Sequence, residues 1–287
     1  MTPASFDYLR AESVAQALEA LAGHEGEATV LAGGQSLVPM LAMRLARPSL
    51  VVDIGGLPGL DGIEVQGGVV RLGALVRHRV LERDAIVARH VPLLATAARW
   101  VATPTIRNAG TLGGALALGD PAAEYPGVAT ALDARLRLVS LAGERVLPAS
   151  EFFLGAMETD IRPGELLVSM ELQAAAPGDG FGFAEIAERR GDYALAGAAL
   201  SRRSGDVRIA VFGVGDTPLS CAAAGAVLAS APLSQWDDAL FDEVRAAVDR
   251  HIAPLAVDPM RARLAGVAVL RAARDLASRQ PPARRVA

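Results

Sequence analysis

A strand, a glycine turn, a helix and a second strand follow one another near the N-terminus, and this order most constrains the fold. Residues 29–32 form a short apolar run that predicts a buried strand, and the run ends abruptly in Gly33-Gly34-Gln35-Ser36. The spacing of apolar residues at 37–45 predicts a helix, and the run at 50–54 predicts another buried strand. The segment therefore predicts a β-α-β unit with a glycine turn at its first strand–helix junction.

The rest of the chain divides into a longer N-terminal part and a C-terminal part. Helices are predicted at 14–22 (with Ser13 as the N-cap), 77–89, 92–101, 121–132 (with Asp120 as the N-cap), 219–229, 235–251 and 259–277. Strands are predicted at 63–65, 69–72, 135–141, 166–172, 181–186, 193–200 and 207–214. An Ala/Pro/Gly/Asp stretch near 173–180 predicts a boundary between domains at 1–176 (subdomains 1–57 and 58–176) and 177–287, and we expect a mobile tail at 281–287.

Composition excludes several classes of protein. The chain has 287 residues, of which 52% are hydrophobic and 21% charged, values that exclude disorder and fibrous repeats. Its 28 basic residues are all arginine, and with 32 acidic residues they give a net charge of −4, which argues against nucleic-acid and anionic-membrane partners. The charged N-terminus does not resemble a signal peptide, and no apolar run is long enough to span a membrane. We therefore expect a cytoplasmic protein.

The cysteine and histidine content argues against a metal centre in this chain. Cys221 is the single cysteine, so an iron–sulfur cluster, which needs about four thiolates, would have to lie in another polypeptide. The four histidines are scattered and lack the spacing of a zinc site.

Two glycine loops carry the chemistry that the residues alone predict. Gly33-Gly34 lies where a buried strand turns into a helix, a position at which backbone N–H groups can approach a phosphate closely. Gly113-Gly114 offers a second set of N–H donors, and Ser36 and Thr111 add hydroxyl groups. Two such loops could hold a diphosphate from both sides without any lysine.

A purely structural interpretation of the glycine pairs remains open at this point. Glycine pairs mostly mark turns, and Gly55-Gly56 and Gly67-Gly68 are expected to be turns only. The chain has neither the lysine-containing phosphate loop nor the dinucleotide fingerprint, because Asp216-Thr217-Pro218 interrupts the glycines that follow the strand at 207–214. The residues alone thus predict either a nucleotide-diphosphate site or ordinary turns.

Five segments along the chain resemble one family. Ala32-Gly33-Gly34-Gln35-Ser36-Leu37 and Thr111-Leu112-Gly113-Gly114 resemble the paired FAD loops of the FAD-binding medium subunits of molybdenum hydroxylases, the group that includes carbon monoxide dehydrogenase and relatives of xanthine dehydrogenase. The segments at 106–108 and 120–124 flank the second loop in the same way, and Arg189-Arg190-Gly191-Asp192-Tyr193-Ala194 matches further on.

The resemblance implies a fold and a set of site residues. The fold is α+β, with two N-terminal α/β subdomains of the FAD-binding (PCMH-type) fold that hold FAD between them, followed by an α+β C-terminal domain with an antiparallel sheet and helices. It implies that the two loops hold the FAD diphosphate, that Glu124 or Asp120 accepts ribityl hydroxyls, and that Tyr193 controls access to one face of the flavin ring. The implied cofactor-binding residues are Val30, Leu31, Ala32, Gly33, Gly34, Gln35, Ser36, Leu37, Val101, Thr111, Leu112, Gly113, Gly114, Ala115, Asp120, Glu124, Leu167, Glu185 and Tyr193.

Two residues depart from the family pattern, and others have ordinary structural explanations. Ala115 stands where many relatives have Asn, which removes a polar contact, and Glu185 stands where some have Lys near the pyrimidine end of the flavin. Tyr193 could equally be an ordinary strand aromatic, and Asp120 could serve only as a helix cap.

By resemblance, the chain is an electron-transfer flavoprotein subunit and not a complete enzyme. A molybdopterin-binding large subunit would oxidise the substrate, and a [2Fe–2S] small subunit would deliver electrons to this FAD, in a dimer of heterotrimers. No catalytic residue is predicted, because the flavin carries the chemistry. Two alternatives are a self-sufficient FAD-dependent oxidoreductase with its own small-molecule site and a binding protein that has lost its flavin.

Overall fold

The computed structural model describes residues 2–24, 26–255 and 257–279. The predicted mobile tail at 281–287 lies outside the described residues. Within the described ranges, none of the helices combines the length and the apolar character that a membrane crossing requires.

The first subdomain is a small parallel sheet with two helices. Its elements are β1 (Asp7–Arg10), α1 (Val14–Ala22), β2 (Ala28–Leu31), α2 (Leu37–Ala42) and β3 (Leu50–Asp53), and the strand order is β1-β3-β2. Both neighbours of β3 run parallel to it, which confirms the predicted β-α-β unit. Helix α1 begins as predicted, because the Ser13 hydroxyl accepts a hydrogen bond from the Gln16 N–H at 3.1 Å. Strand β1 was not predicted.

The second subdomain is a five-stranded antiparallel sheet covered by helices. Its elements are β4 (Ile63–Gln66), β5 (Val69–Gly73), α3 (His78–Arg83), α4 (Ala85–His90), α5 (Pro92–Ala98), α6 (Pro104–Ala109), α7 (Leu112–Leu118), α8 (Glu124–Ala131), β6 (Arg135–Ser140), β7 (Gly143–Pro148), α9 (Ala149–Phe152), β8 (Phe153–Gly155), β9 (Glu158–Thr159) and β10 (Leu166–Gln173). The sheet order is β4-β5-β10-β6-β7, with β8 and β9 as a separate pair. The predicted hairpin forms around Gly67 and Gly68, which both have positive φ.

The C-terminal part is an antiparallel sheet backed by long helices. Its elements are β11 (Gly180–Ile186), β12 (Ala196–Arg203), β13 (Asp206–Phe212), β14 (Leu219–Ser220), α10 (Ala222–Ala229), α11 (Asp238–Ile252) and α12 (Pro259–Arg279). Gly182 of β11 lies so close to Ala272 of α12 that a side chain there would overlap the Ala272 carbonyl oxygen. The predicted α+β class and the order of its parts are confirmed.

Four local predictions were wrong, each for an identifiable reason. The helix predicted at 219–229 begins at Ala222, because Leu219–Ser220 pairs with β13 as strand β14. The predicted helix at 77–89 is two helices, because the Asp84 carboxylate accepts from the N–H groups of Ile86 and Val87 and starts a new one. The helix predicted from Pro121 begins at Glu124, since the Asp120 carboxylate accepts from the Ala122 N–H at 2.9 Å and closes a turn. Tyr193 precedes β12 and is not a strand residue.

The second subdomain and the C-terminal sheet share a hydrophobic core. Phe183, Ala199 and Phe212 of that sheet belong to the same buried cluster as the helices and strands of the second subdomain. The Phe212 ring occupies the space that side chains at Gly127 of α8 and Gly197 of β12 would need. This packing fixes α8 against β12 and β13, next to the cavity described below.

Candidate cofactor site

A cavity of about 600 Å³ opens where the two N-terminal subdomains meet the segment 191–193. Its volume falls within the range of about 300–1,000 Å³ that is typical of ligand pockets. Among the predicted site residues, those that line it are Val30, Ala32, Gly33, Gly34, Gln35, Ser36, Leu37, Val101, Thr111, Gly113, Gly114, Ala115, Asp120, Glu124, Leu167 and Tyr193. The structure brings these residues together from both N-terminal subdomains and from the C-terminal part.

Three predicted site residues do not line the cavity. Leu112 is fully buried in the core of the second subdomain, and Leu31 packs with its side chain toward Gly34. Glu185 lies on β11 behind the cavity and is only 6% exposed.

The first glycine loop presents a row of backbone N–H groups to the cavity. Within the described chain, the five consecutive N–H groups from Gly33 to Leu37 donate to no acceptor, and all five residues line the cavity. Gly34 has a φ of +72°, a conformation that glycine adopts without strain and that turns the chain here. The Gly34 carbonyl accepts from the Val38 N–H, so the loop leads directly into α2. Successive N–H groups of this kind form an anion-binding concavity.

The second glycine loop is built differently, and one prediction about it was wrong. The Gly113 N–H donates to the Ala74 carbonyl at 2.7 Å, and the Gly114 N–H donates to the Thr111 hydroxyl oxygen at 3.1 Å. These N–H groups are therefore used inside the protein and are not donors for a ligand. Thr111 is the N-cap of α7, and the two glycines lie in its first turn.

Close packing explains why the second loop contains glycine. A Cβ on Gly113 would lie 2.5 Å from the Ala74 Cβ, and one on Gly114 would lie 2.8 Å from the Thr111 hydroxyl oxygen. The small residues allow the first turn of α7 to lie directly against Ala74 at the end of β5, and both glycines line the cavity.

The cavity wall also carries ionisable groups from α3 and α8. Burial, with a smaller contribution from Asp120, raises the pKa of Glu124 to about 7. Burial, together with the positive charges of Arg107 and Arg77, lowers the pKa of His78 to about 4. His78 is therefore neutral at physiological pH, while the Glu124 carboxyl titrates close to it.

His78 and Tyr125 line the cavity but were missed in the sequence. Their ring centroids are 5.2 Å apart, and neither His78 Nδ1 nor the buried Tyr125 hydroxyl has a hydrogen-bond partner in the part of the chain that the structure describes. The adjacency of Tyr125 to Glu124 was a usable signal in the sequence. No sequence pattern indicated that His78 would approach Tyr125, because the two residues are 47 positions apart.

The loop that carries Tyr193 is attached to the second subdomain. The Arg190 guanidinium lies 4.8 Å from the centroid of the Trp100 ring and donates to the Arg99 carbonyl at 3.3 Å. A Cβ on Gly191 would lie 2.8 Å from the Ala102 carbonyl oxygen, so the backbone approaches closely there as well. Tyr193 itself is 71% exposed at the edge of the cavity.

Comparison with known families identifies the class of protein. Residues 4–172 match the FAD binding domain in molybdopterin dehydrogenase, and residues 182–276 match the CO dehydrogenase flavoprotein C-terminal domain. The chain belongs to the family of FAD-binding medium subunits of molybdenum hydroxylases. It is thus an oxidoreductase flavoprotein with FAD as its cofactor, as the resemblance implied.

Individual relatives cover most of the chain. The chain is 43% identical over 243 residues to the 6-hydroxypseudooxynicotine dehydrogenase complex subunit alpha of Paenarthrobacter nicotinovorans, with 83% of this chain and 82% of the relative covered. It is 34% identical to the carbon monoxide dehydrogenase medium chain of Afipia carboxidovorans, with 95% and 96% covered. Among solved structures, it is similar to carbon monoxide dehydrogenase from Hydrogenophaga pseudoflava, with a TM-score of 0.91, 33% identity, and 98% and 100% covered.

Proposed function

We propose that this chain is the electron-transfer subunit of a molybdenum hydroxylase and that it holds FAD in the cavity with the diphosphate on the first glycine loop. The observation that carries the proposal is the row of five N–H groups from Gly33 to Leu37 that have no acceptor in the described chain. A diphosphate supplies the acceptor oxygens that these donors lack, and no lysine is needed.

The residues around the cavity fit the rest of the cofactor. Glu124 and Asp120 offer carboxylate oxygens to ribityl hydroxyls, and Val101, Leu167 and Ala115 supply apolar contacts for a planar ring. Tyr193 at the cavity edge limits access to one ring face. The second loop contributes close backbone approach, and Thr111 can still donate its hydroxyl hydrogen while its oxygen accepts from Gly114.

When bound, FAD supplies the redox chemistry, since it accepts electrons one or two at a time. The chain positions the cofactor, excludes water from part of it and sets its electrostatic surroundings. Electrons would arrive from a [2Fe–2S] small subunit and would leave to an external acceptor, while a molybdopterin-binding large subunit oxidises the substrate. The single cysteine, Cys221, is buried, and burial raises its pKa to about 12, which suits a core residue and not a cluster ligand.

The proposal extends to assembly, domain boundaries and location. We propose a dimer of heterotrimers in the cytoplasm, without nucleic acid, and domains at 1–176 (subdomains 1–57 and 58–176) and 177–287. The net charge of −4 supports the absence of a polyanionic partner. The gap between the two matched family segments, 173–181, supports the boundary.

Co-expression with the neighbouring genes tests the subunit assignment. We expect the chain to co-purify with a polypeptide that contains molybdopterin and with one that contains iron–sulfur clusters, and the flavin of the complex to be reduced when the substrate is added. A chain that purifies alone and whose flavin a small molecule reduces directly would favour a self-sufficient oxidoreductase instead.

A further inference from the structure

Glu185 is a buried carboxyl group without a hydrogen-bond partner among the described residues. It lies on β11 and is 6% exposed, and neither Oε1 nor Oε2 contacts a donor. Its neighbour across the strand pair is Gly197, which has no side chain to offer. A buried carboxylate loses its hydration, and without hydrogen-bond donors no interaction compensates for that loss. The neutral acid is therefore the favoured form at this position.

The charged groups around Glu185 do not compensate for its burial. Glu124 of α8 acts on it with the same sign of charge, and Arg190 acts with the opposite sign. The Arg190 guanidinium is already held by the Trp100 ring and the Arg99 carbonyl. Helix α5 has no ionisable residue that could act on Glu185. The Asp275 carboxylate of α12 already accepts a hydrogen bond from the Phe183 N–H. Burial, followed by the charge of Glu124, raises the pKa of Glu185 to about 8.

Glu124 connects this buried group to the cavity. Its side chain lines the cavity, and the groups that act on it are Asp120, Arg107 and its own backbone N–H. The Phe212 ring packs against both Gly127 of α8 and Gly197, the strand partner of Glu185, which brings the start of α8 to this part of β11. Two carboxyl groups close together in a poorly solvated place do not both ionise easily, so their protonation is coupled. A change of charge in the cavity therefore affects the protonation of Glu124 first, and the charge of Glu124 in turn affects the protonation of Glu185.

We propose that Glu185 and Glu124 form a proton-holding carboxyl pair and that the pair takes up a proton when the flavin in the cavity is reduced. This inference rests on the proposed function. The electrons come from a one-electron donor such as the iron–sulfur partner and go to the flavin. The proton comes from solvent water and forms an O–H bond on the carboxylate pair, which lowers the negative charge that reduction adds to the site. No bond of the protein breaks.

The test measures the midpoint potential of bound FAD against pH. The full chain loaded with FAD is titrated with dithionite between about pH 6 and about pH 9, and each extra proton taken up per electron pair adds about 30 mV per pH unit to the slope. Glu185→Gln keeps the shape but cannot take up the proton, and Glu188→Gln is the matched control because Glu188 is exposed and three residues away.

We expect the midpoint potential to change more steeply with pH in the wild type and in Glu188→Gln than in Glu185→Gln. Infrared spectra of the cofactor-free chain give a second readout, in which the protonated carboxyl band at neutral pH is expected to be stronger in the wild type than in Glu185→Gln, where Glu124 alone contributes to it. Equal slopes with FAD bound, or equal carboxyl bands in the wild type and Glu185→Gln, would overturn the carboxyl pair alone. A full chain that binds no FAD would overturn the proposed function and the coupling with it.

Discussion

Gly33 of the first glycine loop lies directly against the backbone of Ala109 at the end of α6. A Cβ on Gly33 would overlap the Ala109 carbonyl oxygen and would lie 2.8 Å from the Gly110 Cα. The two glycine-containing segments, whose contacting residues Gly33 and Ala109 are 76 positions apart, are thus in backbone contact, and the first subdomain meets the second at this point. The cavity depends on this contact, because its two walls could not approach each other with a larger residue at 33.

We expect Gly33→Ala to separate these walls. Because backbone atoms are in the way, the loop must shift, at a cost of about 1–3 kcal/mol in the free energy of unfolding. We expect at least a tenfold loss in FAD affinity, measured by titration of the cofactor-free protein. Gly62→Ala is the matched control, since Gly62 is exposed with nothing within 4 Å of an added Cβ. Equal FAD affinity in both variants would contradict the assigned role of the contact.

A negative charge placed on the first loop should compete with the diphosphate. Ser36 is the residue at the start of α2, and its side chain makes no capping hydrogen bond. Ser36→Asp is compatible with this position, because aspartate is a favoured N-cap. Its carboxylate would occupy the free N–H groups and repel phosphate, so we expect a greater than tenfold loss of FAD affinity by isothermal titration.

Ser36→Asn separates charge from size in that experiment. Asparagine is nearly the same shape as aspartate and is also a good N-cap, but it is neutral. We expect its FAD affinity to stay within a few-fold of the wild type. If both variants lose FAD equally, the loss is steric and the anion-binding role of the loop is wrong.

Thr111 should matter for the stability of the second subdomain. Its hydroxyl is the acceptor for the Gly114 N–H, and the residue is only 2% exposed. Thr111→Val keeps the volume but leaves that N–H without a partner, which we expect to cost about 1–2 kcal/mol in urea unfolding. Thr111→Ser retains the oxygen and should lose less. A larger loss in Thr111→Ser than in Thr111→Val would mean that the methyl group, and not the cap, is the stabilising part.

The buried carboxyl groups predict how stability depends on pH. The pKa values of Glu185 and Glu124 in the folded chain are raised to about 8 and about 7, above the ordinary value of 4.5. Between pH 4.5 and about 8 these two groups bind more protons in the folded chain than in the unfolded chain. They therefore make the free energy of unfolding fall as the pH rises through that range. His78, whose pKa is lowered to about 4, acts in the opposite direction below 6.5.

Glu185→Gln removes one of these contributions. We expect it to match the wild type near about pH 5 and to be more stable by about 2 kcal/mol near about pH 8.5, from urea unfolding of the cofactor-free chain. Glu188→Gln should follow the wild type at both values. A stability difference that does not grow with pH would show that Glu185 is ionised in the folded state.

Local patterns predicted the parts of the site that a few consecutive residues determine. The turn at Gly33-Gly34 follows directly from an apolar run that ends in glycine, and Ser13 caps α1 as its position before an apolar period predicts. The hairpin at Gly67-Gly68 is equally local. Propensity and turn chemistry suffice for such elements, because each one is stabilised within its own segment.

Features that depend on distant partners could not be predicted in this way. The N–H groups of the second loop are used because Ala74 and Thr111 supply acceptors, and the position of Ala74 depends on how β5 meets α7. Strand β1 exists because β3 offers it a free edge. Glu124 and Glu185 approach each other only because Phe212 packs α8 against β12, through glycines at 127 and 197.

The most direct test of the central claim is the visible absorption spectrum of the purified chain, followed by identification of the cofactor that denaturation releases. The account predicts the two flavin bands near about 370 and about 450 nm and one FAD released per chain. A colourless chain that also fails to bind added FAD would contradict it, since the free N–H groups of residues 33–37 would then have some other ligand.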